Sequence, residues 1–185
     1  MKKRCNWVND HPIYIDYHDH IWGKEVHDDQ LLFEFLILES FQAGLSWITI
    51  LKKREAFKDA FENFEIEKVA NYDQKKFDCL LQNKNIIRNR LKIKNAIKAA
   101  NLVLEIQKEY GSFNDYLWQY VDYKPIITHH INHKSIPVDS KLSKKISQDL
   151  YNRGFRFIGS IICYSFMQAI GMINDHEENC PYKYK

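Results

Sequence analysis

Apolar positions recur along most of this chain with the spacing of α-helices, and no segment shows a convincing strand-like alternation. The clearest helical segment runs from Leu31 to Phe41, after the capping pair Asp28 and Asp29, and stops at Gly44. The same spacing predicts further helices over 47–64, 73–81, 86–110, 113–121, 139–153 and 160–170. The segment 122–137 has no clear period and is predicted to be a loop. We therefore predict an all-α fold.

The composition is that of a globular chain. Apolar residues make up 45% of the 185 residues, which is enough for a core, and no apolar run is long enough to cross a bilayer. A net charge of +3 permits nucleic-acid binding without demanding it. The N-terminus is charged rather than apolar, so we expect a cytoplasmic protein whose four cysteines are reduced.

Two cysteines and two histidines near the chain ends form a candidate zinc set: Cys5, His18, His176 and Cys180. His176 and Cys180 would share one face of a helical turn, whereas Cys5 and His18 lie in a segment predicted to be irregular. Two thiolates and two imidazoles suit a closed structural site that ties the ends together. The spacing is not that of a zinc finger, and it also fits a free tail thiol and a surface histidine.

One carboxylate stands where the helical pattern predicts an apolar side chain. Glu39 falls in register with Leu32, Phe35 and Leu36. A carboxylate on a buried face is costly unless it is paired or functional. The alternative is an exposed Glu39, because this helix is apolar nearly all round and its buried face is ambiguous.

Aromatic residues crowd into segments with little helical period. Those near the N-terminus are Trp7, Tyr14, Tyr17 and Trp22. Trp47 follows the tight turn at Gly44. Aromatic side chains on irregular backbone often line a binding site, although most aromatics pack in cores. Together with Glu39 they would form a receptacle for a flat cationic heterocycle, through cation–π contacts and charge-assisted hydrogen bonds.

A short turn between the last two predicted helices has a glycine at each end. It runs from Gly154 to Gly159, follows Arg153 and contains Arg156. Glycine allows backbone amides to approach a ligand, and amides that begin a helix suit a phosphate. The pattern is that of a helix-hairpin-helix contact with DNA, and an ordinary helix–helix turn fits it as well.

These blocks together resemble one protein family over nearly the whole chain. The matching blocks are 4–7, 17–19, 22–23, 38–39, 42–47, 154–159, 163–169, 174–176 and Cys180. The chain is similar to bacterial 3-methyladenine DNA glycosylase I, a family of the helix-hairpin-helix glycosylase superfamily. The resemblance implies a DNA-repair enzyme that turns 3-methyladenine out of alkylated duplex DNA and hydrolyses its N-glycosidic bond.

The resemblance implies a role for each candidate residue. Glu39 would be the catalytic carboxylate that hydrogen-bonds the extruded base. The pocket would be lined by Trp7, Tyr14, Tyr17, Trp22, Trp47 and Ser165. Leu45 would be a wedge in the opened duplex, and the other DNA contacts would be Gln42, Gly44, Arg153, Gly154, Arg156 and Gly159. A structural zinc ion would be bound by Cys5, His18, His176 and Cys180.

The resemblance also implies one glycosylase unit with two lobes, which we expect to be monomeric. The lobe built from 1–27 and 160–185 would contain the zinc ion, and 28–159 would form the central bundle. Related glycosylases have an aspartate after the hairpin that assists bond cleavage. Here the nearest candidate, Asp175, adjoins a zinc ligand, so we assign no general base. No well-placed lysine nucleophile is evident, so we expect no lyase step.

Two other classes of protein stay open on the sequence. One is a zinc-stabilised module that binds DNA lesions without cutting, which would not need a carboxylate among aromatics. The other is a helical interaction protein whose aromatics all pack in the core, which predicts neither zinc nor salt-dependent DNA binding.

Overall fold

The computed structural model describes residues 3–184. The α-helices are α1 (Pro12–His20), α2 (Asp29–Gln42), α3 (Trp47–Leu51), α4 (Arg54–Ala60), α5 (Ile66–Ala70), α6 (Gln74–Gln82), α7 (Arg90–Tyr110), α8 (Phe113–Trp118), α9 (Lys141–Arg153) and α10 (Ser160–Ala169). Short 3-10 turns cover Glu62–Phe64, Gln119–Val121 and His133–Ser135. Two short strands, β1 (Ile126–Ile127) and β2 (Ile173–Asn174), pair in parallel. The predicted predominance of helix is confirmed.

Capping residues set several helix starts where the sequence indicated them. Asp28 accepts a hydrogen bond from the backbone of α2, Asp73 does the same for α6 and Ser112 for α8. Ser140 and Ser143 form a reciprocal capping box at α9. Each such cap contributes about 1 kcal/mol to helix stability, so the sequence predicts these boundaries well.

Other boundaries differ from the sequence prediction. The helix predicted over 47–64 is divided into α3, α4 and a 3-10 turn in which Glu62, Asn63 and Phe64 have positive φ angles. The helix predicted to begin at residue 86 begins at Arg90, because the Asn89 side chain caps it. The predicted loop 122–137 contains β1 and a 3-10 turn.

The two terminal segments were also predicted incorrectly in their local structure. The N-terminal segment, expected to be irregular, contains α1, with Pro12 in its first turn. The residues from His176 to Cys180, expected to form a helical turn, adopt irregular backbone and a turn. Cys180 therefore does not approach the other candidate ligands through a helical turn that it shares with His176.

Helix α2 lies at the centre of the core. It contacts α3, α7, α8 and α10, and every residue from Leu32 to Phe41 is buried. This packing on all sides explains why the helix is apolar nearly all round. The same packing buries Glu39, which has 2% of its surface exposed. The alternative of an exposed carboxylate is therefore wrong.

The N-terminal and C-terminal segments contact each other along their lengths. The backbone amides of Gly23 and Val26 donate to the carbonyls of Gln168 and Ile170. Near the chain ends, the Asn6 backbone amide and side chain donate to the Glu177 carboxylate. Division of the chain at 27/28 and 159/160 into two lobes stays a prediction. Among the described residues, no helix has the combined length and hydrophobicity that a membrane span requires.

We expect Gly171→Ala to lower the free energy of unfolding by about 2–4 kcal/mol. Gly171 has φ +71°, and an added Cβ would lie 2.3 Å from the Lys24 carbonyl carbon. A left-handed backbone costs a residue with a Cβ about 1–2 kcal/mol, and overpacking typically costs about 1–3 kcal/mol more. Urea unfolding checks this, with Gly159→Ala as control, because Gly159 has φ −69° and open space around it. Equal stability losses in the two variants would contradict the steric explanation.

Candidate functional site

A cavity of about 300 Å³ opens between the N-terminal segment, the end of α2, the start of α3 and α10. Its lining residues are Trp7, Tyr14, Tyr17, Trp22, Glu39, Gln42, Trp47, His133, Ile136, Ser165 and Gln168. The structure thus brings together all six predicted pocket residues and the carboxylate. The volume is at the lower end for small-molecule pockets and suits one flat heterocycle of the size of a nucleobase.

The aromatic walls are fixed by contacts with one another. The Trp7 ring lies edge-on to Tyr14, with 5.8 Å between centroids, and edge-on to Trp22 at 5.0 Å. The Tyr17 ring packs edge-on against Trp47 at 5.4 Å. The Trp7 indole Nε1 is buried and has no hydrogen-bond partner among the described residues. Such an orphaned donor in a cavity wall indicates a site for a polar ligand.

Glu39 is the second orphaned group in this cavity. Its Oε2 atom is buried without a hydrogen-bond partner among the described residues. Burial raises the pKa of Glu39 well above its ordinary value, because the ionised carboxylate loses its hydration. Burial also raises the pKa of the adjacent Tyr17, and the Glu39 carboxylate adds to that effect. A cation or hydrogen-bond donors placed in the cavity would stabilise the ionised form of this carboxyl group.

Three lining residues were not predicted as site residues from the sequence: His133, Ile136 and Gln168. The first two lie in the segment without a period, where side-chain direction has no sequence signal. Gln168 lies within a block that carries the family resemblance, and its Nε2 donates to the Asp175 carboxylate at 2.6 Å.

Asp175 is fully buried and holds together the wall behind the cavity. Its carboxylate accepts hydrogen bonds from the hydroxyls of Thr128 and Tyr164 as well as from Gln168. Both carboxylate oxygens are therefore engaged with protein groups. That no general base is assigned at this position stays a prediction.

A tight turn at the cavity rim exposes an apolar side chain. Helix α2 ends at Gln42, and Gly44 has φ +80°, which only glycine adopts without strain. The Leu45 side chain that follows is 40% exposed. Because Gln42 and Trp47 both line the cavity, Leu45 stands beside its mouth.

The predicted hairpin connects α9 and α10, and its two arginines have different surroundings. Gly154 ends α9 with φ +109°, and Gly159 is the exposed N-cap residue of α10. Exposed Arg156 extends over the Tyr151 ring, 4.2 Å from its centroid.

Arg153 instead forms ion pairs with Glu109 and Asp149 at 2.7 and 3.2 Å. It therefore joins α9 to α7, a structural role that the sequence did not indicate. Its contact with DNA stays a prediction.

Three candidate metal ligands meet in one buried cluster. The ligand atoms of Cys5, His18 and Cys180 lie within 4.8 Å of one another, and the His18 Nε2 atom is 3.5 Å from the Cys180 Sγ. The His18 Nδ1 atom is 2.8 Å from the Asp19 carboxylate, the arrangement that orients metal-ligating histidines. The Glu177 backbone amide donates to the Cys5 Sγ at 3.3 Å.

His176 lies beside this cluster. Its ring centroid is 4.8 Å from that of His18, and its Nε2 atom is buried without a partner among the described residues. Burial lowers the pKa of both imidazoles, to about 4 for His176, which favours the neutral form that binds metals. The donor chemistry of the four residues therefore fits a metal ion.

The fold and the cavity define a helical protein with an aromatic cavity of the size of one flat heterocycle, next to an exposed apolar side chain. Comparison with known proteins gives this class a family. The family model described as methyladenine glycosylase matches residues 7–184, and the chain belongs to that family.

Its relatives are similar over their full lengths. The chain is 44% identical to the DNA-3-methyladenine glycosylase of Haemophilus influenzae, with 99% of each chain covered. It is 43% identical to DNA-3-methyladenine glycosylase 1 of Escherichia coli, with 96% of this chain and 95% of the relative covered. A structure of 3-methyladenine DNA glycosylase I from Staphylococcus aureus, solved for the basis of 3-methyladenine recognition, is 39% identical. It superposes with a TM-score of 0.95, with 98% of this chain and 96% of that chain covered.

Proposed function

We propose that this chain repairs alkylated DNA by hydrolysing the N-glycosidic bond of 3-methyladenine. The observation that carries the proposal is Glu39, whose buried Oε2 atom has no hydrogen-bond partner among the described residues and which lines an aromatic cavity of the size of one base. Family membership and the names of the relatives support the same activity.

Recognition follows from the charge of the damaged base. Methylation at N3 makes adenine cationic in the nucleotide, and aromatic faces attract cations by about 0.5–2 kcal/mol per contact. A bound cation lowers the pKa of Glu39 again, so that the ionised carboxylate accepts hydrogen bonds from the exocyclic amine. A guanine base presents a carbonyl oxygen at that position, which the carboxylate disfavours.

The chemistry needs little acid assistance, because the cationic base leaves the sugar as a neutral molecule. The chain then supplies selection and position and excludes bulk water. One water molecule forms the new bond to the sugar carbon as the N-glycosidic bond breaks, and its proton passes to solvent. The described cavity lining contains no lysine, which supports a monofunctional enzyme without a lyase step.

Extrusion of the base requires contacts on both sides of the cavity mouth. Turning out one nucleotide costs a few kcal/mol of unstacking, which an inserted apolar side chain partly offsets. Leu45, exposed beside the cavity mouth, would be this wedge, with Gln42 and Gly44 beside it. The amides of Gly154 and Phe155 donate to carbonyls of α9. The amides later in the turn, with Arg156, would hold the phosphates, as in the helix-hairpin-helix superfamily.

The metal that fits the terminal cluster is a structural zinc ion, held by Cys5, His18, His176 and Cys180. It takes no part in bond cleavage in this proposal. Bound zinc supplies a cross-link between the two chain ends, which carry one wall of the cavity. We also propose that the protein acts as a monomer in the bacterial cytoplasm.

The direct test is release of free 3-methyladenine from methylated duplex DNA, separated by chromatography and compared with a reaction without protein. Release of the base supports the proposal. A folded protein that binds the duplex and releases no base would instead be a lesion-binding module.

We expect Leu45→Ala to slow base release from duplex DNA by about tenfold while leaving the affinity for free 3-methyladenine unchanged. The side chain is exposed beside the cavity and is not part of its lining, so its truncation removes only the wedge. Single-turnover release and tryptophan fluorescence titration with free base measure the two quantities. A parallel loss in both assays would contradict the assigned role.

A further inference from the structure

Helix α7 carries two buried polar side chains that the cavity does not use. Lys92 and Asn95 are each 6% exposed and lie three residues apart, so they share one face of the helix. Among the described residues, no carboxylate forms an ion pair with Lys92. A buried ammonium group without a counter-ion costs several kcal/mol unless other acceptors bind it, so this position calls for an explanation.

The acceptors of Lys92 are backbone carbonyls at the end of α2. Its Nζ atom donates to the carbonyl oxygens of Phe41 at 2.9 Å and Ala43 at 2.5 Å. The last carbonyls of a helix have no partner within the helix and carry its negative dipole end. Lys92 thus fixes the backbone from which the turn with Leu45 begins. That turn has little packing of its own, since a Cβ at Gly44 would meet no atom within 4 Å.

Asn95 holds the second turn that faces DNA in the proposed function. Its Nδ2 atom donates to the Arg156 carbonyl oxygen at 2.9 Å. One turn further along α7, the Lys98 Nζ atom lies 3.1 Å from the point where a Cβ of Gly154 would stand. One face of one helix therefore contacts both the wedge turn (residues 43–46) and the hairpin (residues 154–159).

We propose that Lys92 and Asn95 are positioning residues that fix the wedge turn relative to the hairpin, so that one duplex engages both at once. The proposal rests on the proposed function. Neither side chain lines the described cavity, and both would act through the backbone that they hold. A wedge displaced by about 1 Å relative to the held phosphates no longer enters the gap correctly, and displacements of that size can reduce rates about 100-fold.

The test separates base binding from DNA engagement. Lys92→Met retains the length of the side chain and removes its donors, Lys92→Arg retains donors, and Lys94→Met removes one charge from an exposed position of the same helix. Each variant is measured for affinity to free 3-methyladenine, for single-turnover release from methylated duplex and for binding to a duplex with an abasic-site analogue.

We expect Lys92→Met to slow release at least tenfold and to weaken duplex binding, with free-base affinity within twofold of the unmodified protein. Lys92→Arg should recover part of the rate, and Lys94→Met should have little effect. Asn95→Leu, which leaves Lys92 in place, should show the same selective loss and serves if Lys92→Met does not fold.

Equal losses of free-base affinity and release would overturn the inference, as would a lowered Tm with normal release and duplex binding. If Lys94→Met had the same effect as Lys92→Met, loss of one positive charge would explain both results. That outcome would also overturn the inference. If the unmodified protein releases no base, the proposed function fails. Duplex binding by the variants then still decides whether Lys92 and Asn95 position the two turns.

Discussion

Replacement of Glu39 by glutamine is expected to lower 3-methyladenine release by about 10- to 100-fold and, at neutral pH, to raise the Tm of the protein. The loss of activity follows from the charge: a hydrogen bond to an ionised group is worth about 1.5–3 kcal/mol, and each 1.4 kcal/mol corresponds to about tenfold. Glutamine retains the size of the side chain and lacks the charge that a cationic base requires. Release from methylated duplex measures this effect, because the base is cationic only while it is attached to the sugar.

The gain in stability follows from the raised pKa of Glu39. The folded state holds the proton of this carboxyl group more tightly than the unfolded chain does. The contribution of Glu39 to stability is therefore fully present below its ordinary pKa of 4.5 and is lost as the pH rises through the raised pKa of the folded state. Glutamine stays neutral, so the Tm advantage of Glu39→Gln should grow between pH 4.5 and neutrality.

Thermal unfolding of both proteins at several pH values checks this growth, and other titrating groups cancel in the difference. A variant with full release activity would remove Glu39 from the site. A variant less stable than the parent at neutral pH would show that a protein group, rather than the substrate, compensates the buried carboxylate.

Replacement of Cys180 by serine is expected to abolish zinc binding and to lower the Tm by 10 °C or more, on the scale of about 4 °C or less per kcal/mol for a chain of this size. Structural zinc ions contribute about 10–16 kcal/mol to the folding free energy of small zinc-finger peptides. In a chain that has its own hydrophobic core, we expect the zinc ion to contribute several kcal/mol to the free energy of unfolding. The parent protein should contain one zinc ion per chain by elemental analysis.

The matched control is Cys79→Ser, because Cys79 is exposed and lies outside the cluster. The cluster also borders the cavity: the His176 ring lies 4.6 Å from Trp22, and the His18 ring lies 5.4 Å from Trp7. Cys180→Ser should therefore weaken free-base binding as well. Protein that is fully stable and active without metal would contradict the zinc proposal.

Much of the cavity could be predicted from the sequence because its residues break local patterns. Glu39 interrupts an apolar face of the sequence pattern, and the structure confirms its burial. The aromatic cluster stands out in the sequence because it has little helical period, although two of its members, Tyr14 and Tyr17, lie on α1. That helix escaped prediction because it buries His18 and Asp19, which a helical hydrophobic pattern treats as exposed.

The features that the sequence does not predict depend on contacts between residues that are distant in the chain. The burial of Asp19 requires its ion pair with Arg4 at 2.7 Å, and the engagement of Arg153 requires Glu109. His133 and Ile136 reach the cavity through a segment whose path is set by tertiary contacts, such as the backbone bond from Glu178 to the His130 carbonyl. The spacing of residue types along one sequence does not indicate which distant residues contact each other.

The meeting of the two chain ends has a consequence for synthesis on the ribosome. Trp7 emerges early, but the wall that faces it includes Gln168, and the cluster behind it needs Cys180. The core helices therefore emerge well before the cavity can close. A nascent chain that has not yet reached Cys180 lacks the completed cavity, and competence to recognise a base arises only after translation has passed that residue.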